Sequence, residues 1–230
     1  MRKTMDVSNR VKELNIDIHY GELHIEKGET FAVEIECTER HEIFAEECDE
    51  CLSIWGERVK KQFHITHRNS EHLEVKITIP EQMQFEKIQL TTGAVELDVD
   101  TLSTKRFVAK MGAGEICVGY LEVVESAQME AGAGEIHIGD GKIKNLNMNL
   151  GAGEVHVKAL MEGKSEINAG VGELNLVLLG NPDDYCATIS KGLGSCSVNG
   201  FTRCNGNTYG DGEHKVKISG GIGAVNVSFE

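Results

Sequence analysis

One seven-residue unit recurs down the second half of the chain and constrains the fold more than any other feature. Gly112 to Val118 (Gly-Ala-Gly-Glu-Ile-Cys-Val), Gly132 to Ile138, Gly151 to Val157 and Gly170 to Leu176 are copies of it. A looser copy begins at Gly93, and degenerate ones begin at Gly192 and Gly221. Successive lead glycines lie 19, 20, 19, 19, 22 and 29 residues apart. The two long steps contain Asn181-Pro182-Asp183-Asp184 and Asn205-Gly206-Asn207, which read as inserted loops. A repeat of about twenty residues marks units that must stack, because one such unit cannot bury its apolar face alone.

Within each unit the period is two. Ile116, Ile136, Val155 and Leu174 share one position, and Val118, Ile138, Val157 and Leu176 share the position two further on. Between them stand Cys117, His137, His156 and Asn175. That alternation is the pattern of a half-buried strand. A second strand runs into the glycines, with Ala109, Met129, Met148 and Ile167 inward and Lys110, Glu130, Asn149 and Asn168 outward. The chain is therefore expected to be all-β, a right-handed parallel β-solenoid (β-helix) with coils of about 19 residues, each rising about 4.7 to 4.9 Å. Glycine recurs because a turning coil needs positive φ or close backbone approach at its corner. Residues 91–230 are the regular coils. Residues 1–90 alternate less regularly, at Leu14–Ile18, Gly21–Ile25, Phe31–Ile35, Leu52–Trp55 and Leu73–Ile77, and are expected to form early coils or an irregular β cap on one continuous domain. The acidic run Glu46 to Glu50 reads as an exposed loop.

A net charge of −14, shared evenly between residues 1–90 and the remainder, disfavours nucleic-acid and anionic-membrane partners, which call for a basic footprint. No apolar run is long enough to span a bilayer, and no export signal follows the basic first residues, so a cytoplasmic location is expected. Seven cysteines at irregular spacing fit a reducing compartment, with Cys196 as a small core residue.

The succession of Leu14 to Ile25, Leu73-Glu74-Val75-Lys76-Ile77-Thr78-Ile79-Pro80, Phe85 to Leu90 and the Gly-x-Gly-Glu-Ile-x-Val units resembles the bacterial β-strand-repeat domain of unknown function labelled putative adhesin. The resemblance covers nearly the whole chain. It implies a β-solenoid fold and, for some members, association with the cell envelope, and it brings no catalytic residues with it.

Stacking places Glu96, Glu115, Glu135, Glu154 and Glu173 in one outward column and Asp98, Cys117, His137, His156 and Asn175 in the next. Neighbouring carboxylates about 4.8 Å apart repel by roughly 0.9 kcal/mol in water, so something should offset them. Glu135, His137, Glu154 and His156 could do so as a cation site, while hydrogen bonds or solvation provide the simpler answer. Cys48 and Cys51 with His64 and His67, or with His67 and His72, approach zinc-ligand spacing, although Phe63–Thr66 alternates like a strand where a finger requires a helix. The Gly-x-Gly units lack the third glycine and the helix of a nucleotide-binding turn. No residue is assigned as catalytic, as a ligand contact or as a metal ligand, and no cofactor is expected. The expected function is a non-enzymatic scaffold or binding module for a protein or surface partner, using a flat face or the insertions near 181–184 and 201–214. The alternative is a metal-binding protein built on the Glu/His face. Homo-oligomers through solenoid ends are compatible with either. If Ile136 lies inward, Ile136→Asp will unfold the middle of the stack, and an unchanged thermal melt would overturn that assignment.

Overall fold

The computed structural model describes residues 2–38, 41–58, 72–202 and 206–230. These form one sheet of thirteen strands, mostly parallel: β1 (Arg2–Asp6), β2 (Glu13–Gly28), β3 (Ala32–Cys37), β4 (His41–Cys48), β5 (Cys51–Arg58), β6 (Leu73–Pro80), β7 (Phe85–Lys144), β8 (Leu146–Glu162), β9 (Lys164–Leu178), β10 (Tyr185–Val198), β11 (Phe201–Thr202), β12 (Asn207–Tyr209) and β13 (His214–Phe229). The one helical element among the described residues is a 3-10 turn, Pro182–Asp184, capped by the Asn181 side chain, which accepts from the Asp183 N–H. No helix among the described residues is long and apolar enough to cross a membrane.

Register follows the repeat. Glu135 pairs with Glu154 and Glu154 with Glu173, while Ile136, Val155 and Leu174 lie side by side on the inner face. Strand β7 is 60 residues long because it passes through several tiers without losing strand geometry, so that Gly112 lies against Gly93 and Gly132 against Gly112. The inward columns are buried from one end to the other: Ile136, Val155 and Leu174 in one, Met129, Met148 and Ile167 in another. Each large aliphatic side chain buried this way contributes roughly 1.5 to 3 kcal/mol.

At both ends the order of tiers departs from the order of the chain. Strand β2 lies between β7 and a tier that β5 and β6 share, with Leu14 beside both Ile88 and Leu52, and Leu23 beside both Leu97 and Val75. Antiparallel strands then close that end, β4 on β5, β3 on β6 and β1 on β3. At the other end the last strand, β13, is inserted between β9 and β10, so Val171 neighbours Ile222 and Ile222 neighbours Leu193. The lead glycines therefore stack in the order 170, 221, 192, whereas repetition alone suggests 170, 192, 221. The insertion pairs β13 on both sides and leaves β10 as the outer strand, partly covered by the short antiparallel β11 and β12. Short, antiparallel terminal strands blunt an edge that would otherwise recruit further strands.

Two other expectations are corrected. Glu46, Glu47 and Cys48 belong to β4, and the turn is confined to Asp49 and Glu50, with Asp49 at φ 55°. Cys196 takes its inward place in the core, but its sulfur is disulfide-bonded, which inward direction alone does not specify.

Tyr185 secures the rearranged end. It is fully buried, its hydroxyl donates to the Leu179 carbonyl at 2.6 Å and accepts from the Met161 N–H at 3.2 Å, and its ring meets His214 and Phe229 edge-on. Burial pushes its pKa above the ordinary tyrosine range. The resulting stability is present below the unfolded-state pKa and is lost as pH rises through the folded-state value. Tyr185→Phe should lower stability by about 1 to 2 kcal/mol at neutral pH and flatten the alkaline decline, both measurable by denaturant titration.

Candidate functional site

The corner built by the glycines produces the site. The lead glycine of each tier has no side chain, and its Cα faces the carbonyl oxygen of the tier beneath, as Gly132 does with Gly112. Two residues on, Gly134 and Gly153 adopt φ of 136° and 132°, and a Cβ on Gly153 would collide with the Gly134 carbonyl. Alanine there would meet both a disfavoured backbone and a clash. The side chain just before the lead glycine points inward, so the nearest outward one sits two residues back. What remains is a trough across the strands.

This groove, of about 850 Å³, runs over tiers from Thr91 to Gly221. Its floor is the glycine column, and its wall is formed by Thr91, Lys110, Glu130, Asn149, Asn168 and Ser219. The Lys110 ammonium lies 3.8 Å from Glu130, and Asn168 Nδ2 donates to Asn149 Oδ1 at 2.9 Å. Asn149 Nδ2 in turn donates to Asn147 Oδ1 at 2.9 Å. With Lys110 and Glu130 offsetting each other, the wall is a neutral strip of amides and hydroxyls on an acidic protein. Six tiers at the usual interstrand spacing make it about 24 Å long.

Along the same outward column toward the cap, Asp17 is in register with Thr91 on one side and Trp55 on the other, and Trp55 is paired with Phe44. The Phe44 and Trp55 rings are stacked at 5.6 Å and 21°. Lys3 Nζ lies 5.8 Å from the centre of the Phe44 ring.

Three carboxylates of the acidic column find partners within the sheet. His156 Nε2 lies 3.6 Å from Glu154, Glu173 accepts from Asn175 at 2.9 Å and from Asn226 at 3.3 Å, and Cys117 donates to Glu115 at 3.0 Å. The ladder continues from Ser197 to Asn226 and from Asn226 to Asn175, which contacts the His156 ring at 3.3 Å. Glu115, Glu154 and Glu173 are thus engaged by the side chain two residues along their own strand, and Glu173 also by the next tier. His137 and His156 are adjacent as the repeat requires, rings 6.0 Å apart, and Glu135 is in register with Glu154. Among the described residues, however, no three His, Cys, Asp or Glu side chains converge on a point that could hold a metal ion. Cys48 and Cys51 face each other across the β4–β5 turn as free thiols, Cys51 accepting from Asn15 Nδ2 at 3.2 Å. His64 and His67 lie outside the described residues, and His72 lies 3.6 Å from Glu74.

Burial, reinforced by the Glu115 carboxylate and the nearby Asp98 and Glu135, pushes the Cys117 thiol up to about 12. The thiolate is the nucleophile, so Cys117 should alkylate slowly at mildly alkaline pH. Glu115→Gln should accelerate the reaction severalfold, and an unchanged rate by peptide mass spectrometry would show that the carboxylate does not control the thiol.

Solved structures similar to this chain include a putative cell adhesion protein from Clostridium sporogenes, at 18% identity with a TM-score of 0.38, covering 100% of this chain and 99% of that one. Also similar is a putative adhesin from Parabacteroides distasonis, at 15% identity with a TM-score of 0.41, covering 100% and 96%. A putative lipid binding protein from the same organism matches at 11% identity with a TM-score of 0.42, covering 99% and 96%. No curated protein matches the chain. The family model described as Toastrack DUF4097 matches residues 11–192, from before β2 into β10, and the chain belongs to that family.

Proposed function

We propose that the sheet winds as a right-handed β-solenoid with coils of about 19 residues, closed by an irregular cap within residues 1–90, and that it serves as a non-enzymatic binding module. The coil length is supported by the parallel register of Glu135, Glu154 and Glu173. The hand follows from the strong preference of parallel crossovers. The observation that carries the binding role is the groove, a shallow, open trough with a backbone floor and a wall of aligned polar groups. Its lining is fixed by the sheet before any ligand arrives, so little ordering cost opposes binding. Its length suits an extended chain better than a compact metabolite, and stacked repeats commonly present such surfaces.

Replacing Asn149 and Asn168 together with Trp would fill the wall without disturbing the inward columns. Immobilised wild-type protein should retain material from an extract of native cells that the double variant releases, with the same melting temperature for both. Equal retention by the two proteins would place binding elsewhere.

A further inference from the structure

We infer that the groove takes an uncharged, linear glycan and that Trp55 stacks against a sugar at its cap end. This rests on the binding-module reading above and adds the class of ligand. Four observations lead to it.

The first is alignment. Registers Phe44–Trp55, Trp55–Asp17 and Asp17–Thr91 put the indole in the very column that further along becomes the groove wall. From Trp55 to Ser219 the column crosses eight tiers, about 34 Å. The second is support. Phe44 is stacked on Trp55, and Lys3 approaches the Phe44 ring, so the indole is backed from the cap side. On its groove side the neighbour in register is Asp17, a short, exposed residue, and Trp55 itself is half-buried. An aromatic ring with one face held and the other toward a short, polar neighbour suits the C–H face of a pyranose.

The third is polarity. Asn149, Asn168 and Ser219 offer paired donors and acceptors of the kind that sugar hydroxyls need, and the tier rise is close to the advance of one pyranose along an extended chain. The net charge of −14 repels polyanions such as nucleic acids or uronate polymers, while the neutral wall has no excess charge to attract a polycation. The fourth sets glycan against peptide. A peptide binding by strand addition needs an open backbone edge. The groove instead crosses strands whose backbone groups are already paired on both sides, as in β8 between β7 and β9.

Trp55 is the single tryptophan of the chain, so its emission reports on the proposed stacking directly. The probes are β-1,4-linked oligomers of N-acetylglucosamine and of glucose, from dimer to hexamer, with polygalacturonate as the charged comparison. The wild-type protein should show saturable changes in emission with at least one neutral series, and calorimetric affinity should rise with chain length. Trp55→Ala should weaken the hexamer about tenfold or more, with Trp55→Phe recovering part of the loss. The Asn149→Ala/Asn168→Ala pair should weaken it severalfold, and melting curves identify any variant that fails to fold. Absence of binding by both neutral series, tighter binding of polygalacturonate, or equal binding by folded Trp55→Ala would overturn the glycan assignment. Should that happen while the Asn149/Asn168 tryptophan variant still releases cell-derived material, the ligand class fails and the binding module stands. If retention is also unaffected, both fall.

Discussion

The structure depends on hydrogen bonding between equivalent stretches of backbone held one interstrand spacing apart. Parallel pairing in register makes each tier the template for the next, and a bulky side chain at the corner would hold two tiers apart. At Gly134 and Gly153 the requirement is doubled, since positive φ and carbonyl contact coincide. The glycines are the condition under which every other column can form.

Once the backbone repeats, side chains repeat with it, and stacking turns single positions into continuous rows. Inward rows such as Met129, Met148 and Ile167 make one apolar core through the stack. Outward rows bring like groups together, which is costly for carboxylates and favourable for amides. Glu115, Glu154 and Glu173 are relieved by Cys117, His156 and Asn175, each two residues along on the same face. Asn149 and Asn168 gain by adjacency, because an amide both donates and accepts. The groove is a by-product of the same repetition, a row of missing side chains beside a row of polar ones.

Much of the core could be read from residue order, because two periods coincide there: alternation assigns Ile116, Ile136 and Val155 to the inside, and the repeat places them side by side. The outward placement of Lys110, Glu130, Asn149 and Asn168 followed from the same pattern. The tier order at the C-terminal end could not be read, since the units at Gly192 and Gly221 are equally degenerate and a repeat says which segments are equivalent, not which are adjacent. The cap was obscured for another reason. Its outermost strands, β1, β3 and β4, pair antiparallel and carry no corner glycines, and the acidic Glu46–Glu50 run resembles a loop although most of it is strand. That hid the alignment of Phe44 and Trp55 with the groove, which only the register of β4, β5 and β2 reveals. Cys196 illustrates a limit of the inward pattern, since side-chain direction does not specify sulfur chemistry.

The most direct test is the pattern of interstrand backbone nuclear Overhauser contacts in deuterated, isotopically labelled protein. Contacts should link the backbone around Gly151 to that around Gly170, Gly170 to Gly221, and Gly221 to Gly192, with none between Gly170 and Gly192. Direct contacts between the Gly170 and Gly192 segments, or their absence between Gly151 and Gly170, would contradict the in-register stack.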